Sequence, residues 1–434
     1  MSARHDPAAR MFNVDMVAVL IAALLPWTTT GVAIAVVLWI IAVSFTIDPA
    51  RLLRVVRQPA SILPLALFAL AVLGMLWSDA PRPSRLHGTN PVAKLLLIPL
   101  LLYHFERSQR ALWVLAAFVV SCALLMILSC VVFFQPAWKL GSAVAAGVAV
   151  KSYVDQSQEF AFCIFALAWP AMVLFRQRRF GRASACVALM ACFFANMMFV
   201  VTARTALVCI PVLLALFAIR QLSRRAALTV FAAVAVAAAL TWLGSPYLRD
   251  RIAQTATDYR HYQEDQMYYQ SPTSPVPEYL PNATGLRIEY WRKSLKYVSA
   301  APIIGNGTGS IRSLFERDAV GQENLAAAVV DNPHNQTLGV AIQWGTTGVI
   351  LLYAMWLSHL LLFRGATMAA WIGLLVVVQN MVSSLFNSHL FDFVEGWMYV
   401  LGVGIAGGVT MRLKRNDAAK HAGERILAHE APPD

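Results

Sequence analysis

Charge is scarce in this chain. Only 13% of its 434 residues are Asp, Glu, Lys or Arg, against 59% hydrophobic, and the mean hydropathy is +0.60. Soluble domains carry about 25% charged residues. A water-soluble, fibrous or disordered protein is therefore excluded, and an integral membrane protein is implied. Cysteine is sparse too. The six cysteines, Cys122, Cys130, Cys163, Cys186, Cys192 and Cys209, all lie in apolar segments, so they read as small core hydrophobes and no disulfide framework is expected. There is no Asp-x-Asp pair for holding a nucleotide-sugar through a metal, no Walker-type phosphate loop and no His-x-x-x-His zinc pattern. No cleavable signal peptide is expected, because the first apolar run, Val14 to Trp27, lacks a small-residue cleavage site and runs at once into another.

What is present is a succession of apolar runs. A bilayer core of roughly 30 Å takes about 20 apolar residues per helix, and on that scale the chain reads as an all-α membrane protein with about twelve spans. The first and fourth, near 12–27 and 91–103, are short enough to be tilted or half-inserted. The runs divide the chain into an N-terminal bundle of about nine spans (1–243), a large polar loop (244–335), about three C-terminal spans (336–412) and a charged cytoplasmic tail expected to be disordered (413–434). With the N-terminus cytoplasmic, 20 of the 35 Lys and Arg fall on inside segments and nine on the large loop. Shifting the orientation by one span reverses this bias, so the positive-inside rule places both termini in the cytoplasm and the large loop outside. The net charge of +12 thus reports topology rather than nucleic-acid binding, since the cations are spread over many connections.

The large loop is aromatic and patterned, which favours a lid or binding element over a tether. Leu286, Ile288, Trp291, Leu295 and Val298 fall near one face of an expected helix, and Pro302 to Gly309 forms a Gly-rich turn. Three residues stand out. Arg204 lies at the outer start of an apolar span; charge at a membrane edge is costly and by default functional, and a cation in the first turn opposes the helix dipole unless an anion binds there. The alternative is that Arg204 snorkels to headgroups. Arg287 starts the loop helix, where the same dipole argument applies, with Arg292, Lys293 and Lys296 nearby; the lysines can also hold that helix against anionic lipid. His334 lies in Asp331-Asn332-Pro333-His334-Asn335-Gln336. Asn332 as N-cap and Pro333 as first helical residue put His334 in the first turn of the next span, where the dipole disfavours imidazolium and leaves a neutral base; the plain alternative is a surface histidine. Asp392 and Glu395 can orient a base or hold Arg204, or simply form a polar connection.

This set resembles the O-antigen ligases, within the wider O-antigen ligase/polymerase family of polytopic membrane glycosyltransferases. His334-Asn335, nine residues, Gly345, two residues and Gly348 are similar to that family's His-Asn-x9-Gly-x-x-Gly signature. Arg287 followed by Trp291, and Pro302 to Gly309, resemble its Arg-x3-Trp and Pro-x-x-Gly-x-Gly loop pattern, and Arg204 resembles its outer-edge arginine. The resemblance runs from about 200 to 350. It implies a GT-C-like fold in a Gram-negative inner membrane. It also implies transfer of O-antigen glycan from undecaprenyl pyrophosphate to lipid A-core at the periplasmic face, with no cofactor or metal. In that scheme Arg204 and Arg287 neutralise charge on the leaving diphosphate, His334 takes the proton from the attacking hydroxyl, and Arg292, Asn335 and Asp392 contact substrate. Gly345 and Gly348 would let their helix pack closely on a neighbour.

Other readings share these features. A polymerase joining repeat units, or a transferase acting on protein hydroxyls, would carry the same loop arginines. A lipid-linked-glycan transporter would instead show inverted repeats and midplane charges; no internal repeat is visible and the spans are almost free of midplane charge.

Overall fold

The protein is seen in a computed structural model that describes residues 7–141, 146–201, 203–244, 283–322 and 324–430, with isolated positions between 249 and 263; of Arg204 it describes the backbone. Every regular element among the described residues is helical. The N-terminal part holds α1 (Pro7–Leu24), α2 (Thr29–Ser44), α3 (Pro49–Val56), α4 (Pro59–Leu73), α5 (Arg82–Ala93), α6 (Leu97–Phe105), α7 (Ala111–Phe134), α8 (Tyr153–Arg176), α9 (Phe180–Phe199), α10 (Arg204–Gln221) and α11 (Arg224–Gly244). The loop contributes α12 (Ala283–Ala300) and α13 (Ser310–Ala319), and the C-terminal part α14 (Gln336–Leu362), α15 (Met368–Ser383) and α16 (Phe393–Glu430).

Six of these helices, α1, α7, α8, α9, α14 and α16, are long and apolar enough to cross a membrane, and the pair α3 and α4, bent by 79°, makes a seventh if counted as one span. Twelve crossings go beyond what these helices establish. Several of the other apolar runs form shorter helices, α2, α10 and α15 among them. The short run near 91–103 is broken for a local reason: Pro91 lies inside α5 and a 3-10 turn at Lys94–Leu96 separates it from α6. α16 runs on to Glu430, where composition suggests a disordered tail. All six cysteines are unbridged; Cys122, Cys163 and Cys209 are buried, whereas Cys130 and Cys192 are exposed on the bundle surface rather than in the core.

Helix ends are set by local chemistry. Thr28, Asp48, Ser152 and Thr367 each accept a hydrogen bond from a backbone N–H of the helix they precede. Close packing follows from small residues. α16 lies against α6 so tightly that a Cβ at Gly404 would sit 2.4 Å from Leu101 Cβ, and one at Gly408 2.7 Å from the Glu106 nitrogen. Backbones approach this closely in membranes only where side chains are minimal.

The loop helix α12 forms as the apolar spacing predicts but buries a different face. Glu289, Tyr290, Lys293, Ser294 and Tyr297 are buried, while Leu295 is 61% exposed. Tyr290 and Tyr297 pack with Phe315 of α13 and Ile342 of α14 in a small separate core, against which Leu286, Trp291 and Val298 lean. The lysines are also differently used: Lys293 donates to the Ala326 carbonyl and Lys296 to Asp318, so protein groups rather than lipid hold them.

Candidate active site

The site grows from the start of α14. The helix begins at Gln336, not at Pro333, because Asn335 is its cap: Oδ1 accepts from Leu338 N at 3.0 Å and Nδ2 donates to Leu385 O at 3.0 Å. His334 is therefore outside the helix, with φ of 53°. A left-handed histidine is held there by its surroundings rather than by preference. Its N–H donates to Asn332 Oδ1 at 2.9 Å, and the Ser388 hydroxyl donates to the same oxygen at 2.7 Å.

The imidazole is oriented by the connection between α15 and α16. His334 Nδ1 lies 2.7 Å from Asn387 Oδ1, and Asn387 Nδ2 donates to Asp392 Oδ2 at 2.9 Å. The second bond decides the first: Asn387 turns its NH2 to the carboxylate, so its oxygen faces the histidine. An amide oxygen only accepts, which puts the proton on Nδ1 and leaves the lone pair of the neutral ring on Nε2. Burial lowers the His334 pKa from its ordinary value and the nearby Arg287 charge lowers it further, against the Asn387 bond and Asp331, which raise it. Asp392 is pushed up to about 7 by burial, with Lys94 pulling the other way. Lys94 also fixes that connection, donating to the carbonyls of Phe391 at 3.0 Å and Asp392 at 2.5 Å.

α12 closes the other side. The Tyr290 ring stacks on His334 with centroids 6.1 Å apart and planes 27° from parallel, and Trp291 Nε1 donates to Pro333 O at 3.1 Å. Arg287, one turn earlier, is close enough to depress both His334 and the buried His389, the latter to about 3 with burial as the main cause. Arg287 is the fifth residue of α12 rather than its first, so the helix-dipole argument applies to it weakly.

A second motif supports the same helix from behind. α14 is kinked at Gly345, which has φ of 60° and ψ of −157°. The Pro302–Gly309 turn docks into that kink: Asn306 N donates to Ile342 O, Gly307 N to Gln343 O and Thr346 N to Pro302 O, each at 2.8 Å. A Cβ on Gly345 would lie 2.4 Å from Ile303 C. The partner that Gly345 admits is this turn, not another helix.

The residues singled out in the sequence thus divide. Arg287 lies close to His334, and Asp392 reaches the same histidine through Asn387. Asn335 uses both ends of its amide in capping and bracing α14. Arg292 makes a bidentate pair with Glu289 at 2.9 and 2.6 Å, and with Lys293, Lys296 and Asp318 it lines a different cavity of about 290 Å³. α10 starts at Arg204, as expected. Ala203 N donates to Ser157 Oγ, and the next residue, Gln158, bonds Gln379 of α15, so Arg204 starts its helix near the end of α15 that leads to Asn387. Its side chain lies outside the described residues. Asn387, Tyr290 and Lys94 were not anticipated, and Asn332, expected as a helix cap, instead accepts from His334 N and Ser388. The available signal was the polar run Asn387-Ser388-His389 between two apolar segments.

Fold and site together define a helical membrane protein whose oriented neutral histidine and arginine lie on a structured loop at one end of the bundle. Residues 189–353, from α9 into α14, match the family described as O-antigen ligase. The matched span contains Arg204, Arg287, His334 and Gly345. No curated protein matches the chain.

Proposed function

We propose that the protein is a metal-independent, inverting glycosyltransferase that moves O-antigen glycan from undecaprenyl pyrophosphate to lipid A-core at the periplasmic face of the inner membrane, with both termini cytoplasmic. The observation that carries the reading is the histidine held by Asn387 with Nε2 available, beside Arg287, inside a ligase-family match. Chemically, Nε2 of His334 takes the proton of the acceptor hydroxyl as its oxygen attacks the anomeric carbon. The bond to the diphosphate breaks on the opposite face, and Arg287 and Arg204 neutralise the charge that develops there. Diphosphate is a good leaving group, so no general acid is needed. A guanidinium fork suits phosphate oxygens better than an ammonium does. The donor's apolar chain stays in lipid and its glycan in water.

The test is an in vitro reaction of purified protein with undecaprenyl-pyrophosphate-linked glycan and lipid A-core, without nucleotide and with a divalent-metal chelator. Glycosylated lipid A-core is expected. Products in which repeat units join only to each other would instead make the protein a polymerase, and loss of activity on chelation would overturn the metal-independent scheme.

A further inference from the structure

A cavity of about 300 Å³ lies between α1, α7, α8, α15 and α16, away from His334. Its walls are almost wholly aliphatic and aromatic, with Leu115, Phe118, Phe162, Ile372 and Ile405 among them, and polar groups gather at one end, where Gln109, Thr367 and Arg412 line it. Along α16 the lining runs from Met398 to Leu413, about 22 Å at 1.5 Å per residue. One leaflet contributes about half of a hydrocarbon core of roughly 30 Å, so the groove is long enough for a whole acyl chain and too apolar for a sugar.

Its direction identifies the occupant. α16 starts at Phe393, next to Asp392 of the histidine site, and Arg412 lies about 28 Å further along the same helix. That is close to the thickness of a bilayer core, so the polar mouth opens at the membrane surface opposite the site. A diphosphate at Arg287 cannot belong to a lipid whose headgroup sits at Arg412. The mouth is cationic as well. Arg412 lines it and donates to the Ser108 carbonyl. Arg110 and Lys414 adjoin lining residues in the chain, and Arg415 stands near with its partner Glu106. Of the local carboxylates, Asp15 and Glu106 are matched by Arg110 and Arg415. Asp417, one turn beyond Lys414 on α16, offsets one of the two further cations, Arg412 and Lys414, the latter donating to the Leu362 carbonyl, so the balance stays positive with Arg412 lining the groove. Apolar surface rimmed by polar residues marks a binding groove, and snorkelling arginine at a membrane surface meets phosphate.

We propose that this groove holds one acyl chain of an anionic phospholipid from the leaflet opposite the histidine site, with its headgroup phosphate at Arg412. The lipid would tie α16, whose first residues adjoin Asp392, to α1 and α7, a contact independent of the transfer reaction.

The test uses full-length protein in mild detergent. Native mass spectrometry should show one phosphatidylglycerol retained. Added phosphatidylglycerol should raise the Tm by several degrees, and phosphatidylcholine with the same chains by clearly less. Ala369→Phe, which fills the groove from α15, should abolish both rises, with Leu115→Trp on α7 as the second filling variant should the first not fold. Arg412→Gln should keep a rise but lose the preference for the anionic lipid. The proposal is overturned if both lipids act equally on the wild type, or if the filling variants respond as the wild type does. It is also overturned if the groove is occupied by a polyprenyl chain, or if the retained mass is a second copy of the chain.

Discussion

Asn387 and His334 are 53 residues apart in the chain and 2.7 Å apart in the structure, with the amide oxygen of one facing Nδ1 of the other. Asp392 holds that amide from behind. In the transferase reading the pair sets which ring nitrogen can act as a base.

The first expectation concerns these residues directly. His334→Ala should abolish transfer in the ligation assay while leaving the Tm within a few degrees, since the ring is not part of the main core. Asn387→Ala should lower kcat, on the order of the 10–100-fold loss seen when the hydrogen-bond partner that orients a metal-bound histidine is removed, with KM for donor little changed. Asn387→Gln should not restore it, because the extra methylene carries the amide away from its place between His334 and Asp392. Full activity in Asn387→Ala would remove the amide from the mechanism.

The pH profile tests the charge of Arg287. Its guanidinium and burial both hold the His334 pKa below the ordinary histidine value, so the neutral base persists to lower pH than usual. Activity should therefore fall on the acid side only below that ordinary value. Removing the charge in Arg287→Gln takes away one depressing influence, so the acid limb of the residual activity should move to higher pH. Arg287→Lys should keep the limb in place while losing rate. A limb that stays fixed in Arg287→Gln would argue against the proximity of the two groups.

Asn335 offers a sharp contrast between structural and substrate roles. Asn335→Ala removes a helix cap, a loss of about 1 kcal/mol, together with the brace to Leu385. The Tm should drop while the donor KM stays near wild type. A many-fold rise in KM at unchanged Tm would assign Asn335 to substrate binding instead.

Gly345→Ala should be among the most damaging small substitutions in the chain. The position needs a positive φ and has Ile303 backbone where a Cβ would go, and a strained backbone alone is worth about 1–3 kcal/mol. Thermal unfolding in detergent should show a clear loss of stability. Gly181→Ala, with nothing within 4 Å of its Cβ, serves as the control and should unfold like the wild type.

Local patterns were read correctly where a local cause sets the structure. α10 begins at Arg204 because an apolar run starts there after an extended Ala203. α12 forms where the spacing of Leu286, Ile288, Trp291 and Val298 asks for a helix, but periodicity chose the wrong face. Glu289 is paired within the helix by Arg292 three residues on, but Tyr290 finds Phe315 and His334, and those two partners come from elsewhere in the chain. The start of α14 was misplaced for a related reason. Asn332 and Asn335 are both good caps by type, and Asn332 is taken up instead by the His334 N–H and the Ser388 hydroxyl.

Composition and hydropathy were enough to put this chain in a membrane, because the cost of exposing so many apolar residues to water admits no other medium. The order of His334, Gly345, Arg287 and the Pro302–Gly309 turn was likewise enough to point to a glycan-transfer family. Tertiary structure alone decided that the turn seats in the Gly345 kink, that Tyr290 stacks on His334, and that Asn387 fixes the imidazole. Hydrogen bonds reach only about 3 Å, so these partners depend on which helix ends are packed side by side, and no single segment's periodicity carries that information.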